Sequence, residues 1–141
     1  MSGDAQFVRD RLEIVDLLHR YAHHADAGDM AAFLGLFDEE AAIDIGMPGV
    51  HDKASLAVAM DSRPEPAAGS RTRHVMTNLV FQDQSADSAS GAMYFTFLST
   101  GADGVAPLAT GEYTFTVRRR DGRWEIQRWR AVVDGVPPAE R

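Results

Sequence analysis

In the stretch Arg71-Thr72-Arg73-His74-Val75-Met76-Thr77-Asn78, an imidazole and an amide occupy alternate positions. A strand turns alternation into a shared face, so residues 72–80 place His74, Met76 and Asn78 on one side and Arg73, Val75 and Thr77 on the other. An imidazole and an amide beside a methionine make a face too polar for plain core. Asp26 is the complementary anomaly, because it falls on the buried side of what reads as a long first helix. A carboxylate there must be paired, hydrogen-bonded or neutralised, since desolvating it alone is costly. His74 is the expected partner. A carboxylate held against one ring nitrogen fixes the tautomer and makes the other nitrogen a better base. The expectation is an Asp26–His74 proton-transfer dyad in a pocket. The structural alternative is a buried Asp capping a loop beside a satisfied core histidine, because buried ion pairs are often no more than that.

Tyr21 precedes Asp26 by five residues, ~140° away on an ideal helix, so the two would grip different sides of one ligand. Tyr21 could donate a hydrogen bond to a carbonyl or protonate a leaving oxygen; taken alone, a tyrosine more often simply packs. His19, His23 and Asp26 have helical spacing suggestive of a metal site, with His51 and His74 as further nitrogen donors. His23, however, is turned ~60° from Asp26 and no glutamate accompanies the pair, so a solvated, histidine-rich helix end is the simpler account. Phe33, Phe95, Phe97, Tyr113 and Trp129 are aromatics that pack as ordinary core or line a cavity for an apolar molecule. With Met76 and Asn78 they form the expected substrate-binding set. No phosphate-cradling glycine loop, dinucleotide fingerprint or Ser-His-Asp signature is present, and no cofactor is expected.

The elements that must position these residues follow from periodicity. Residues 4–27 read as one helix whose Phe7, Val8, Leu12, Ile14, Val15, Leu17, Leu18, Ala22 and Ala25 share a broad arc. Gly28 ends it and Asp29 can cap a short second helix over residues 30–37. Residues 41–45 read as a brief strand and 53–60 as a third helix. Residues 61–70, with two prolines and a glycine, form the longest irregular piece, a candidate lid or oligomer contact. Strands follow at 71–82, 89–100, 109–119 and 123–133, the last two joined by the hairpin signal Asp121-Gly122. Helices first and an antiparallel meander second make an α+β domain spanning residues 1–141, with a tail from about residue 134.

The chain has 141 residues, 45% hydrophobic and 25% charged, which suits one core. A net charge of −7 and a pI near 5.1 argue against nucleic acid and anionic membrane surfaces as partners. The absence of cysteine removes disulfides, thiolate nucleophiles and Cys-ligated zinc. Neither a signal-peptide pattern nor a membrane-spanning apolar run is visible, so a cytoplasmic protein is expected.

The order of motifs resembles a known family over nearly the whole chain. A helix ends Tyr-x4-Asp-x-Gly-Asp (Tyr21 to Asp29), and a Phe-rich segment ends Phe37-Asp38-Glu39. Arg-His-x2-Thr-Asn (Arg73 to Asn78) and Asp-Gly-x-Trp-x-Ile (Asp121 to Ile126) follow. This resembles the SnoaL-like branch of the nuclear-transport-factor-2-like superfamily, whose relatives include scytalone dehydratase, bile acid dehydratase, hexachlorocyclohexane dehydrochlorinase and polyketide cyclases. The resemblance implies a curved, mainly antiparallel sheet wrapped by N-terminal helices into a cone with an apolar pocket, and a homodimer or homotrimer. It matches Asp26 and His74 to a family dyad and Tyr21 to a dehydratase tyrosine. It implies a cofactor-independent dehydration, isomerisation or cyclisation of a small hydrophobic, aromatic or polyketide-like molecule, with His74 as base. A non-catalytic ligand-binding or assembly domain is the alternative within the same fold. A small structural subunit of an aromatic-ring dioxygenase is a third reading. Where this branch often carries a pocket arginine this chain has Trp129, which implies a pocket without a cation and speaks against halide elimination.

Overall fold

The computed structural model describes residues 2–136; all but the first few residues of the tail expected from about residue 134 lie outside the described residues. Three helices, α1 (Ser2–Ala27), α2 (Met30–Leu34) and α3 (Lys53–Asp61), accompany a single five-stranded sheet. Its strands are β1 (Phe37–Asp44), β2 (Arg71–Gln84), β3 (Ser88–Gly101), β4 (Gly104–Arg120) and β5 (Arg123–Val133). The spatial order is β1-β5-β4-β3-β2, with β1 parallel to β5 and every other pairing antiparallel. The α+β reading and the open, curved, mainly antiparallel sheet both hold.

Alternation in β4 buries Gly111, Tyr113, Phe115 and Val117 on one face, against Met93 and Phe95 of β3 and Trp129 of β5. Close packing depends on Gly111. A Cβ there would come within 2.7 Å of the Phe95 ring, which lies across the strand. β4 begins five residues earlier than alternation suggests, and its early part contains Pro107. That part pairs with β3, whereas β5 reaches only Gly111, so Pro107 sits in an edge segment where a missing N–H is tolerated.

α2 stops at Leu34, not at Phe37. Leu36 and Phe37 remain buried, but the Leu36 carbonyl accepts from Ile126 N (2.8 Å), which draws the chain into β1.

The long helix departs from expectation at its N-terminal half. Phe7, Val8 and Leu12 are exposed, and Asp10 is buried instead, hydrogen-bonded by Gln6 and ion-paired with Arg119. Asp10, Ile14, Leu17 and Tyr21 lie within ~60° of one another, and this face meets the sheet. Val8 shares the azimuth of Asp26 yet is 57% exposed, while the Asp26 side chain is 8% exposed. The surroundings of the helix differ along its length: near Asp26 its flank is covered by β2, and at Val8 it is open.

Candidate active site

Helix α1 ends in a glycine turn. Gly28 takes φ 72°, its N–H donates to Ala25 O (3.2 Å), and Asp29 N donates to His24 O (3.1 Å). Asp29 then caps α2 by accepting from Ala32 N at 3.1 Å. Asp26 is thereby held in the last helical turn, where the helix dipole disfavours an anion. Three donors offset that cost. His74 N donates to Oδ2 (2.8 Å), the His74 ring Nδ1 lies 2.6 Å from Oδ1, and Thr72 Oγ1 donates to Oδ1 at 3.4 Å. One histidine thus grips both carboxylate oxygens, one through its backbone and one through its ring. Thr72 was legible as a same-face neighbour of His74 two residues earlier, though nothing in the sequence marked it as a partner of Asp26.

A carboxylate only accepts, so Nδ1 carries a proton, and in the neutral imidazole Nε2 then keeps a free lone pair. Nε2 has no hydrogen-bond partner among the described residues. Burial acts to raise the Asp26 carboxyl, but the ring and backbone hydrogen bonds from His74 and the Thr72 hydroxyl outweigh it. The group lies below its ordinary value near 3.8. The His74 side chain is 12% exposed, flanked by the edge of Tyr21 (5.8 Å between centroids) and by Phe97 (4.4 Å).

His74, Tyr21, Phe33, Phe95, Phe97 and Tyr113 line a cavity of about 460 Å³, together with Thr72, Met60, Arg63 and small aliphatic residues. Burial pushes the Tyr21 phenol up to about 12 despite opposing contributions from Tyr113, Trp129 and Arg63, so it remains a proton donor at neutral pH. Tyr113 is raised as well, chiefly by burial.

Three expected contacts are corrected. Trp129 is fully buried behind the cavity, with ring centroids 4.5 Å from both Tyr21 and Tyr113, and supports the wall without forming it. Its indole N–H leans on the Tyr21 phenol without reaching an acceptor at full hydrogen-bond geometry. Met76 is buried core and does not line the cavity. Asn78 is exposed, because β2 bulges between Thr77 and Val80 with Asn78 at φ 59°. The bulge shifts alternation by one residue, so Leu79 and Phe81 pack inward beyond it. A fourth correction concerns charge. Arg63, from the irregular segment after α3, brings a cation to the cavity that Trp129 had seemed to forfeit.

The histidines do not converge. His19 and His23 are exposed, His51 pairs with Asp52 (3.4 Å), and no cluster of three or more His, Asp or Glu among the described residues could hold a metal. A second cleft of about 410 Å³, lined by Glu13, Asp16, Arg20, His24 and Arg123 among others, shares no residue with the dyad cavity. Its Arg20 and Asp16 pair with each other (2.6 Å).

Comparison with known proteins bears on the family and the fold. The SnoaL-like domain family model matches residues 6–130. The chain belongs to the SnoaL-like family. Among curated proteins no match is found. Of the solved structures similar to this SnoaL-like chain, three from Novosphingobium aromaticivorans are informative. A candidate aromatic-ring hydroxylase is 28% identical, with a TM-score of 0.72 over 92% of this chain and 92% of its own. A nuclear-transport-factor-2-like protein with a cystatin-like fold is 20% identical, with a TM-score of 0.82 over 98% and 90%. A candidate scytalone dehydratase is 16% identical, with a TM-score of 0.76 over 92% and 87%. The last two likenesses establish the fold. No helix of the described chain is long and apolar enough to cross a membrane.

Proposed function

We propose that this SnoaL-like protein is a cofactor-independent lyase or isomerase acting on a small hydrophobic molecule of aromatic or polyketide-like character. The observation that carries this reading is the 2.6 Å contact between Asp26 and His74 Nδ1, which leaves Nε2 free on a residue lining an apolar cavity. In the proposed step, Nε2 removes a proton from carbon next to a carbonyl, and Asp26 stabilises the imidazolium that forms. Tyr21 donates its phenolic hydrogen bond to the carbonyl oxygen, where negative charge develops. The proton on Nε2 then returns to a leaving hydroxyl, which departs as water, or to another carbon, which completes an isomerisation.

The test is carbon-bound deuterium exchange, followed by NMR in heavy water with a panel of apolar aryl ketones and β-hydroxy ketones. Native protein is expected to exchange the acidic C–H of at least one compound. His74→Ala and Asp26→Asn are expected to lose that activity. Exchange unchanged in both variants would falsify the dyad as the base.

The similarity to the candidate aromatic-ring hydroxylase favours a second reading, in which the cavity holds an aromatic ligand within a larger assembly. That reading requires ligand binding without any exchange, and a co-purifying iron protein. Self-association, implied by the family resemblance, would use the outer sheet face, where Val75, Val80 and Tyr94 are exposed.

A further inference from the structure

Arg63 stands apart from the other polar residues of the cavity. It follows the last turn of α3, where Ser62 N and Oγ both bond to Val58 O (3.1 and 2.8 Å) and Arg63 N donates to Met60 O at 3.3 Å. Those bonds fix where its side chain leaves the backbone. Its Nη1 rests on the Met60 thioether at 3.3 Å, a weak acceptor for one of five guanidinium donors. In a chain with 21 acidic and 14 basic residues, Arg20, Arg119, Arg120, Arg123 and Arg130 each have a carboxylate within ion-pair distance. Arg63 has none among the described residues, nor have Arg9, Arg11, Arg71, Arg73, Arg118 and Arg128, but of these only Arg63, itself exposed, lines the cavity.

The charge around the cavity has a consequence for ligands. Asp26 contributes −1 directly behind His74, and the whole chain carries −7, so an anion entering an otherwise apolar pocket would be repelled. Long-range repulsion is screened beyond roughly 10 Å at ordinary ionic strength, which leaves the local groups to decide. Arg63 at +1 offsets Asp26 at −1 and still presents unused, forked N–H donors that match a carboxylate.

We propose that Arg63 is a specificity-determining residue that binds the carboxylate of an acidic substrate, an apolar aryl or polyketide-like acid whose body fills the cavity beside His74. This deepens the proposed function and rests on it for which cavity is the active one. Arg63 selects the substrate class, and His74 acts on the carbon.

The test measures binding and not turnover, by calorimetry with 2-naphthoate and with neutral 2-naphthalenemethanol. Native protein is expected to bind the acid about tenfold or more tightly than the alcohol, the scale of one charge-assisted contact. Arg63→Gln is expected to abolish the preference by weakening acid binding, and Arg63→Lys to retain part of it. His74→Gln is expected to keep the preference, so a failed exchange experiment and a failed selectivity experiment are told apart. Equal affinities in the native protein, no binding of either probe, or a preference that survives Arg63→Gln would each overturn the proposal.

Discussion

Helix α1 carries a buried carboxylate, Asp10, and a half-buried one, Asp26, and they have opposite characters. Asp10 is 2% exposed, bonded by Gln6 at 2.8 Å and paired with Arg119, whose guanidinium stacks over Trp124 at 4.9 Å. Asp26 is gripped by His74 and opens, through the imidazole, onto a cavity. An arginine partner stays charged and exchanges no proton, so the first pair can only hold elements together. A histidine partner can gain and lose a proton near neutral pH, so the second pair can work on a ligand. A buried acid is therefore not sufficient to mark a site. The partner's chemistry and the adjoining empty space make the distinction.

This division can be broken by experiment. Asp26→Asn is expected to lower exchange or turnover about 10³-fold, within the range for loss of acid–base assistance. Asp10→Asn is expected to leave turnover per folded molecule unchanged. In urea denaturation the order should reverse. Asp10→Ala should cost about 3 kcal/mol, the low end for orphaning a buried ion partner, because the Arg119 side chain keeps 25% exposure to water. Should Asp26→Asn prove the more destabilising of the two, the assignment of structural and chemical roles would be wrong.

A finer separation uses pH. The folded-state pKa of Asp26 lies below its ordinary value near 3.8, so between those values the unfolded chain binds more protons and stability rises with pH. The contribution is fully present above the ordinary value and is lost as pH falls through the folded value. The stability gap between the native chain and Asp26→Asn should therefore shrink as pH falls below the ordinary carboxyl value near 3.8. A gap that widens as pH falls below that value contradicts the hydrogen-bonded carboxylate.

The smallest effect concerns Asn78. Asn78→Ala should lose about 1 kcal/mol, because alanine tolerates a left-handed backbone less well than asparagine, with no change in exchange activity. A loss of activity would return Asn78 to the cavity and contradict the bulge.

Much of the fold was legible because its signals are local. The glycine after α1, the alternation of β4 and the Asp121-Gly122 turn each act within a few residues. The pairing of Asp26 with His74 is not local, since 48 residues separate them; it could be expected because a carboxylate and an imidazole on two apolar faces have few other ways to be satisfied. Val8 shows where this reasoning stops. Periodicity reports the direction a residue faces around a helix, but not how far the sheet wraps at that height.

By itself, the sequence determined the helix-then-meander order and the aromatic residues available to the pocket, because residue type and short-range spacing carry those, and it left the Asp26–His74 contact as an expectation. Only the tertiary structure decided that a bulge turns Asn78 outward, that Trp129 stands behind the wall, and that Arg63 reaches the cavity. Each depends on strand register or on where an irregular segment lands, and both are set by contacts between residues distant in the chain.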